Sequence, residues 1–192
     1  MKRVGVVGVP EGWSSERLSD AVEKKTGFRL LIDPEHLVYD SKEKTVYYEK
    51  TNLLDLDALI IKKAGPRYSP DLLNRLELLH YLEQKGLPIF SKASSIIMSF
   101  NRLNNTLNLQ KADIPMPDTV ITENIDEAYE TVMKFKKAIF KPLFSTKARG
   151  MEVIKATDTD IKEQIIDFKS SNTSMYIQKM IHIPGKDLGI AF

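Results

Sequence analysis

AIFKPLFSTKARGMEVI, residues 138–154, is the stretch on which the reading of this chain turns. Ala138, Ile139 and Phe140 form an apolar strand that delivers Lys141. A polar turn with Ser145, Thr146, Lys147 and Arg149 follows, and Gly150 leads into a second strand. Between positions 134 and 155 stand Lys134, Lys136, Lys137, Lys141, Lys147, Arg149 and Lys155, against the single acid Glu152. A hairpin that gathers cations and hydroxyls at its tip is suited to clamping a polyphosphate. Taken alone, it reads more readily as a solvated basic hairpin.

Outward from the hairpin, positions 95–111 are expected to be helical, with Ile97, Leu103, Leu107 and Leu109 available for burial. Pro115 and Pro117 fix an extended entry into a strand over 119–122. Asn124 with Glu127 is a capping-box-like start for a helix to about Lys137. After the hairpin, Thr157 and Asp158 precede a helix to about Ser170, a strand covers 175–179, and another starts over 185–192. The first part of the chain reads differently. Residues 4–9 suit a buried parallel strand. A helix capped by Ser14 or Ser15 follows, with Leu18, Ala21 and Val22 on one face, and Gly27 ends it. Strands are expected over 28–32, 58–61 and 87–90, with a small hairpin over 39–48. Ser69-Pro70 opens a leucine-rich helix that Gly86 stops. The expected architecture is an α/β unit with a parallel sheet over 1–94, then an α+β unit over 95–192.

Composition narrows the function classes. The chain has 192 residues and a formal net charge of +2, which does not by itself point to a nucleic-acid partner. It has no cysteine, so disulfides, thiolate catalysis and cysteine-bound metals are excluded. His36, His80 and His182 are widely spaced and match no metal-ligand pattern. No apolar run approaches the roughly 18 residues of a membrane helix. The first ten residues, MKRVGVVGVP, do not read as a signal peptide, so a cytoplasmic location is expected.

The order of signals resembles the ATP-grasp superfamily, in particular the RimK-like ligases that join a carboxylate to an amine. The stretches that carry the resemblance are Asn101-Arg102, the run ADIPMP at 112–117, Lys141-Pro142, the turn 145–150, QKMI at 178–181, and Asp187-Leu188-Gly189. They cover about residues 95–192, and the preceding unit resembles the smaller domain that usually comes before an ATP-grasp module. The resemblance implies an ATP site: Lys141 and Arg102 on phosphates, Ser145, Thr146, Lys147, Arg149 and Gly150 as the phosphate lid, and Gln178, Lys179, Met180 and Ile181 beside adenine. Asp187 falls in a family element a few residues later. It further implies Mg2+, whose ligands are expected downstream of Phe192, so that this chain would carry the N-terminal part of a truncated site. The implied partners are a nucleotide, a small-molecule or peptide carboxylate, and an amine; a homo-oligomer is left open.

The chain also departs from the family pattern. The lid reads STKARG rather than glycine-rich, Lys179 replaces the usual acid, and Gly189 stands where an arginine is expected. Two other classes stay open. One is a non-catalytic binding module that uses the basic hairpin on RNA or an acidic partner, with Phe135, Phe140 and Phe144 interleaving the lysines. The other is an inactive chain that only assembles with other proteins through an exposed sheet edge. Two further features are weighed here: VGVVGVPEG at 4–12 invites a dinucleotide-loop reading or a substrate turn with Trp13 at its edge, and His182 would lie near a ribose.

Overall fold

In the computed structural model, residues 1–67, 69–145, 148–182 and 185 are described. The chain divides into two units, Met1–Asn101 and Arg102–Phe192.

The first unit runs β1 (Val4–Val7), α1 (Trp13–Thr26), β2 (Leu31–Ile32), β3 (Leu37–Asp40), β4 (Thr45–Tyr48), β5 (Thr51–Asn52), β6 (Ala58–Ile61), α2 (Leu72–Gln84), β7 (Ile89–Phe90) and α3 (Ala93–Phe100). Four strands form a parallel sheet in the order β2-β1-β6-β7. Val6, Val7, Ile32 and Leu59 are fully buried, as expected for strands covered on both faces. The expected hairpin is present and extended by β5 into a three-stranded antiparallel sheet. Tyr81 of α2 anchors it, donating its hydroxyl to the Lys44 carbonyl at 2.7 Å and meeting the Tyr39 ring edge-on at 5.3 Å.

Three local expectations are corrected here. α1 starts at Trp13 with Gly12 at its N-cap position, and its buried face is Ser15, Ser19 and Val22 while Ala21 is exposed. Ser15 does not cap the helix; its hydroxyl accepts the Val9 N–H at 3.1 Å. A Cβ on Gly8 would sit 2.7 Å from the Ser15 oxygen, so this glycine serves a close approach of loop and helix. α2 begins at Leu72, after a turn in which Leu72 and Leu73 donate to the carbonyls of Ser69 and Pro70. The helix expected over 95–111 is two helices, because Asn101 takes extended backbone (φ −92°, ψ 122°). A short amide side chain favours such a boundary over a helix interior. Leu107 and Leu109 are correspondingly exposed.

The second unit runs α4 (Arg102–Lys111), β8 (Thr119–Thr122), α5 (Ile125–Phe135), β9 (Lys137–Lys141), β10 (Glu152–Lys155), α6 (Ile161–Ser171) and β11 (Met175–Lys179). Its strands make an antiparallel sheet in the order β10-β9-β11-β8. Alternate residues Ala138 and Phe140 of β9, and Met175 and Ile177 of β11, join Val132, Phe135, Ile165 and Phe168 of α5 and α6 in one core. Phe140 and Phe168 meet edge-on at 5.3 Å. Of the strand expected over 185–192, all but Gly185 lies outside the described residues.

Asn124 caps α5 as the sequence predicts, its side-chain oxygen accepting the N–H groups of Asp126 and Glu127. Asn124→Ala is expected to lower the unfolding free energy of this unit by about 1 kcal/mol. Urea titration followed by circular dichroism checks it, and an unchanged midpoint would show that the cap contributes nothing.

Candidate functional site

Strand register decides which side chains meet. With Ala138 and Phe140 turned to the core, Ile139 and Lys141 project from the opposite face of the sheet. Across from them in β11, Tyr176 pairs with Lys141 and Gln178 with Ile139. Gln178 is also paired with Thr119 of β8. Lys141, Tyr176, Gln178 and Thr119 therefore share one face, from four positions on three strands.

Hydrogen bonds link this set. Lys141 Nζ donates to Gln178 Oε1 at 2.7 Å. The Gln178 amide nitrogen donates to Thr119 Oγ1 at 3.0 Å and to the Tyr176 hydroxyl at 3.4 Å. Tyr176, itself buried, lies 2.9 Å from the Thr106 hydroxyl of α4. Arg102, the first residue of α4, sits over the Tyr176 ring at 5.7 Å. Its guanidinium donates to the Pro142 carbonyl at 3.0 Å and to Ser145 Oγ at 3.2 Å. The start of α4 is thus bonded to the segment that leaves β9, immediately after Lys141.

The electrostatics follow from that packing. Burial pushes the Lys141 ammonium below its ordinary value of 10.5, and the positive charge of Arg102 lowers it further. Among the described residues no carboxylate pairs with Lys141; its acceptor is a neutral amide. Two cations brought together in a half-buried place make a receptor for an anion. The flat, forked guanidinium and the compact ammonium suit phosphoryl oxygens in complementary ways.

Other expected site residues are placed as follows. Arg149 and Gly150 are exposed on a turn, with Gly150 in the left-handed region at φ 66° and a Cβ there falling 3.2 Å from Pro142. Thr146, Lys147 and Asp187 lie outside the described residues. Lys179 pairs with Ala138, which puts it on the core-facing parity of β11, and its ammonium lies 3.6 Å from Asp118. The N–H groups of Lys179 and Met180 already donate to the carbonyls of Asp118 and Lys137. Met180 and Ile181 are exposed apolar side chains, and His182 is exposed. Phe135 and Phe140 are buried in the core, which removes them from any stacking surface for RNA. The glycine-rich run after β1 is accounted for at Gly8 by packing against Ser15.

Sequence reasoning passed over Tyr176, Thr106 and Thr119. The alternation in MYIQK put Tyr176 on the face of Gln178, and Thr106 is one helical turn after Arg102; those are the signals that would have found them.

No protein-family model matches the chain. It is 25% identical over 185 residues to the tetrahydromethanopterin:alpha-L-glutamate ligase of Methanococcus maripaludis, an alignment covering 95% of this chain and 62% of the relative. The alpha-aminoadipate–LysW ligase LysX of Saccharolobus solfataricus is 27% identical over 124 residues, covering 61% and 44%. Among solved structures, a RimK domain ATP-grasp protein from Sphaerobacter thermophilus superposes with a TM-score of 0.70 at 17% identity, covering 95% of this chain and 66% of that one. The fold is ATP-grasp. The resemblance to the RimK-like branch holds, and the chain spans about three fifths of the length of the first curated relatives it matches. Those relatives are ligases by name. Among the described residues no helix is long and apolar enough to cross a membrane.

The lowered Lys141 value makes a pH prediction. Between that value and 10.5 the unfolded chain holds more protons than the folded chain, so the contribution of this site to stability rises with pH. The wild-type unfolding free energy minus that of Lys141→Met should therefore become more positive from neutral pH toward 10.5, as read by urea unfolding. A difference independent of pH would contradict the placement of the ammonium.

Proposed function

We propose that this chain carries the phosphate-binding part of the ATP site of an ATP-dependent carboxylate–amine ligase. The observation that carries the reading is Lys141, half-buried beside Arg102 and held by the neutral amide of Gln178. An uncompensated cation in that position costs stability in the empty protein, and a polyphosphate supplies the missing charge. The similarity to a tetrahydromethanopterin:alpha-L-glutamate ligase and to an alpha-aminoadipate–LysW ligase supports the same reaction class.

In the proposed reaction a carboxylate oxygen attacks the γ-phosphorus of ATP and ADP departs, leaving an acyl phosphate. The amine then attacks the acyl carbon, inorganic phosphate leaves with the bonding pair, and a proton is released as the amide forms. Lys141 and Arg102 hold the phosphate oxygens and offset the charge that accumulates on them during transfer. Ser145, tied to Arg102, adds a hydroxyl at the same place. Arg149 adds a cation on the exposed turn that follows, and Met180 with Ile181 offers an apolar surface for the base. ATP-grasp ligases in general use ATP and Mg2+. Among the described residues no three His, Asp or Glu side chains converge to hold a metal.

Millimolar ATP with Mg2+ should raise the melting temperature of the protein that contains this chain by about 5 to 10 °C at ~100 times Kd. Lys141→Ala should abolish the rise. No rise in the wild type, or the same rise in the variant, would overturn the assignment.

A further inference from the structure

The polar groups behind Lys141 form a chain whose direction is set by donor counting. Lys141 can only donate, so the Gln178 oxygen, not its nitrogen, must face it. The Gln178 nitrogen has two hydrogens, and they meet Thr119 and Tyr176. Thr106 has one hydroxyl hydrogen, which goes to the Arg102 carbonyl at 2.9 Å in the same helix. Its oxygen is then left to accept from Tyr176, 2.9 Å away and inside the protein. The chain therefore reads Lys141 to Gln178 to Tyr176 to Thr106 to the backbone of Arg102, with every hydroxyl donating forward. It starts on one cation of the site and ends on the residue that bears the other.

Resting on the ATP-site reading, we propose that Tyr176 is a positioning residue: through Gln178 and Thr106 it ties Lys141 on the sheet to Arg102 at the start of α4 and keeps the two cations at the spacing a phosphate chain needs. Neither Tyr176 nor Thr106 touches the phosphates in this arrangement. The ring of Tyr176 supports the guanidinium from beneath, and its hydroxyl steers the amide that holds the ammonium. Arg102 is the charged group that bears on Lys141 from α4, while β11 contributes Tyr176 and Gln178 beside it. A directional chain of this kind is cooperative, so loss of its middle member loosens both ends.

Tyr176→Phe keeps the ring and removes the hydroxyl. With full-chain protein labelled at lysine, the Lys141 Cε titration is followed by NMR without nucleotide. In Tyr176→Phe the Lys141 midpoint should move further below the wild-type value, because the acceptor of the charged form is less well held. A residue that serves only packing would leave that midpoint in place. In parallel, calorimetry with AMP-PNP and Mg2+ should show about three- to tenfold weaker binding in Tyr176→Phe. If Tyr176→Phe does not fold, Thr106→Val breaks the next link and should move the midpoint the same way, while Thr106→Ser retains the hydroxyl and restores it. An unmoved midpoint in the folded variant overturns the relay, whatever the nucleotide does. A wild-type protein that binds no AMP-PNP overturns the ATP-site reading instead, and the titration still decides the relay.

Discussion

A half-buried ammonium held beside a guanidinium, with a neutral amide as its acceptor, is the constraint around which the second unit is organised. Burial and like charge both work against the protonated form of Lys141. A sequence selected for stability alone would place a carboxylate or an apolar side chain there. The local cost is tolerable because the rest of the unit is well supported: a continuous core on the other face of the sheet, and a capped helix above it. Sites that keep such a penalty are characteristically those that bind an opposite charge.

Strand alternation is what separates the two duties. Even-numbered Ala138 and Phe140, and odd-numbered Met175 and Ile177, build the core, while their neighbours Ile139, Lys141, Tyr176 and Gln178 face the site. A register slip of one residue would bury Lys141 and expose Phe140 together. The short chain of hydrogen bonds to α4 then converts a position on a strand into a position relative to a helix end. Lys179, one residue beyond Gln178, takes the opposite parity and lies 3.6 Å from Asp118.

Much of this was legible in the residues themselves. β8 and β11 fall on the spans that their β-branched and alternating residues suggest, and Asn124 does cap α5. Lys141 and Arg102, both named from the motif order, lie near enough for the charge of Arg102 to bear on Lys141. What stayed hidden depends on three-dimensional neighbours. Ser15 and Ser19 look like cap or surface residues until the loop at Gly8 packs against them. The interruption at Asn101 has only a weak local signal, because Ser, Phe and Arg around it are all compatible with a helix. Tyr176 reads as a core aromatic in isolation; its hydroxyl acquires a role only once Thr106 arrives from a segment seventy positions away. In the lid, Thr146 and Lys147 lie outside the described residues, so their part rests on motif order alone.

The proposed site puts phosphate at Lys141 and Arg102. A crystal structure of the protein that contains this chain, grown with AMP-PNP and Mg2+, tests it most directly. The account predicts phosphate oxygens within hydrogen-bonding distance of Lys141 Nζ and the Arg102 guanidinium, with Gln178 Oε1 still bonded to Lys141. Nucleotide bound with its phosphates elsewhere, and Lys141 contacting only Gln178, would contradict it.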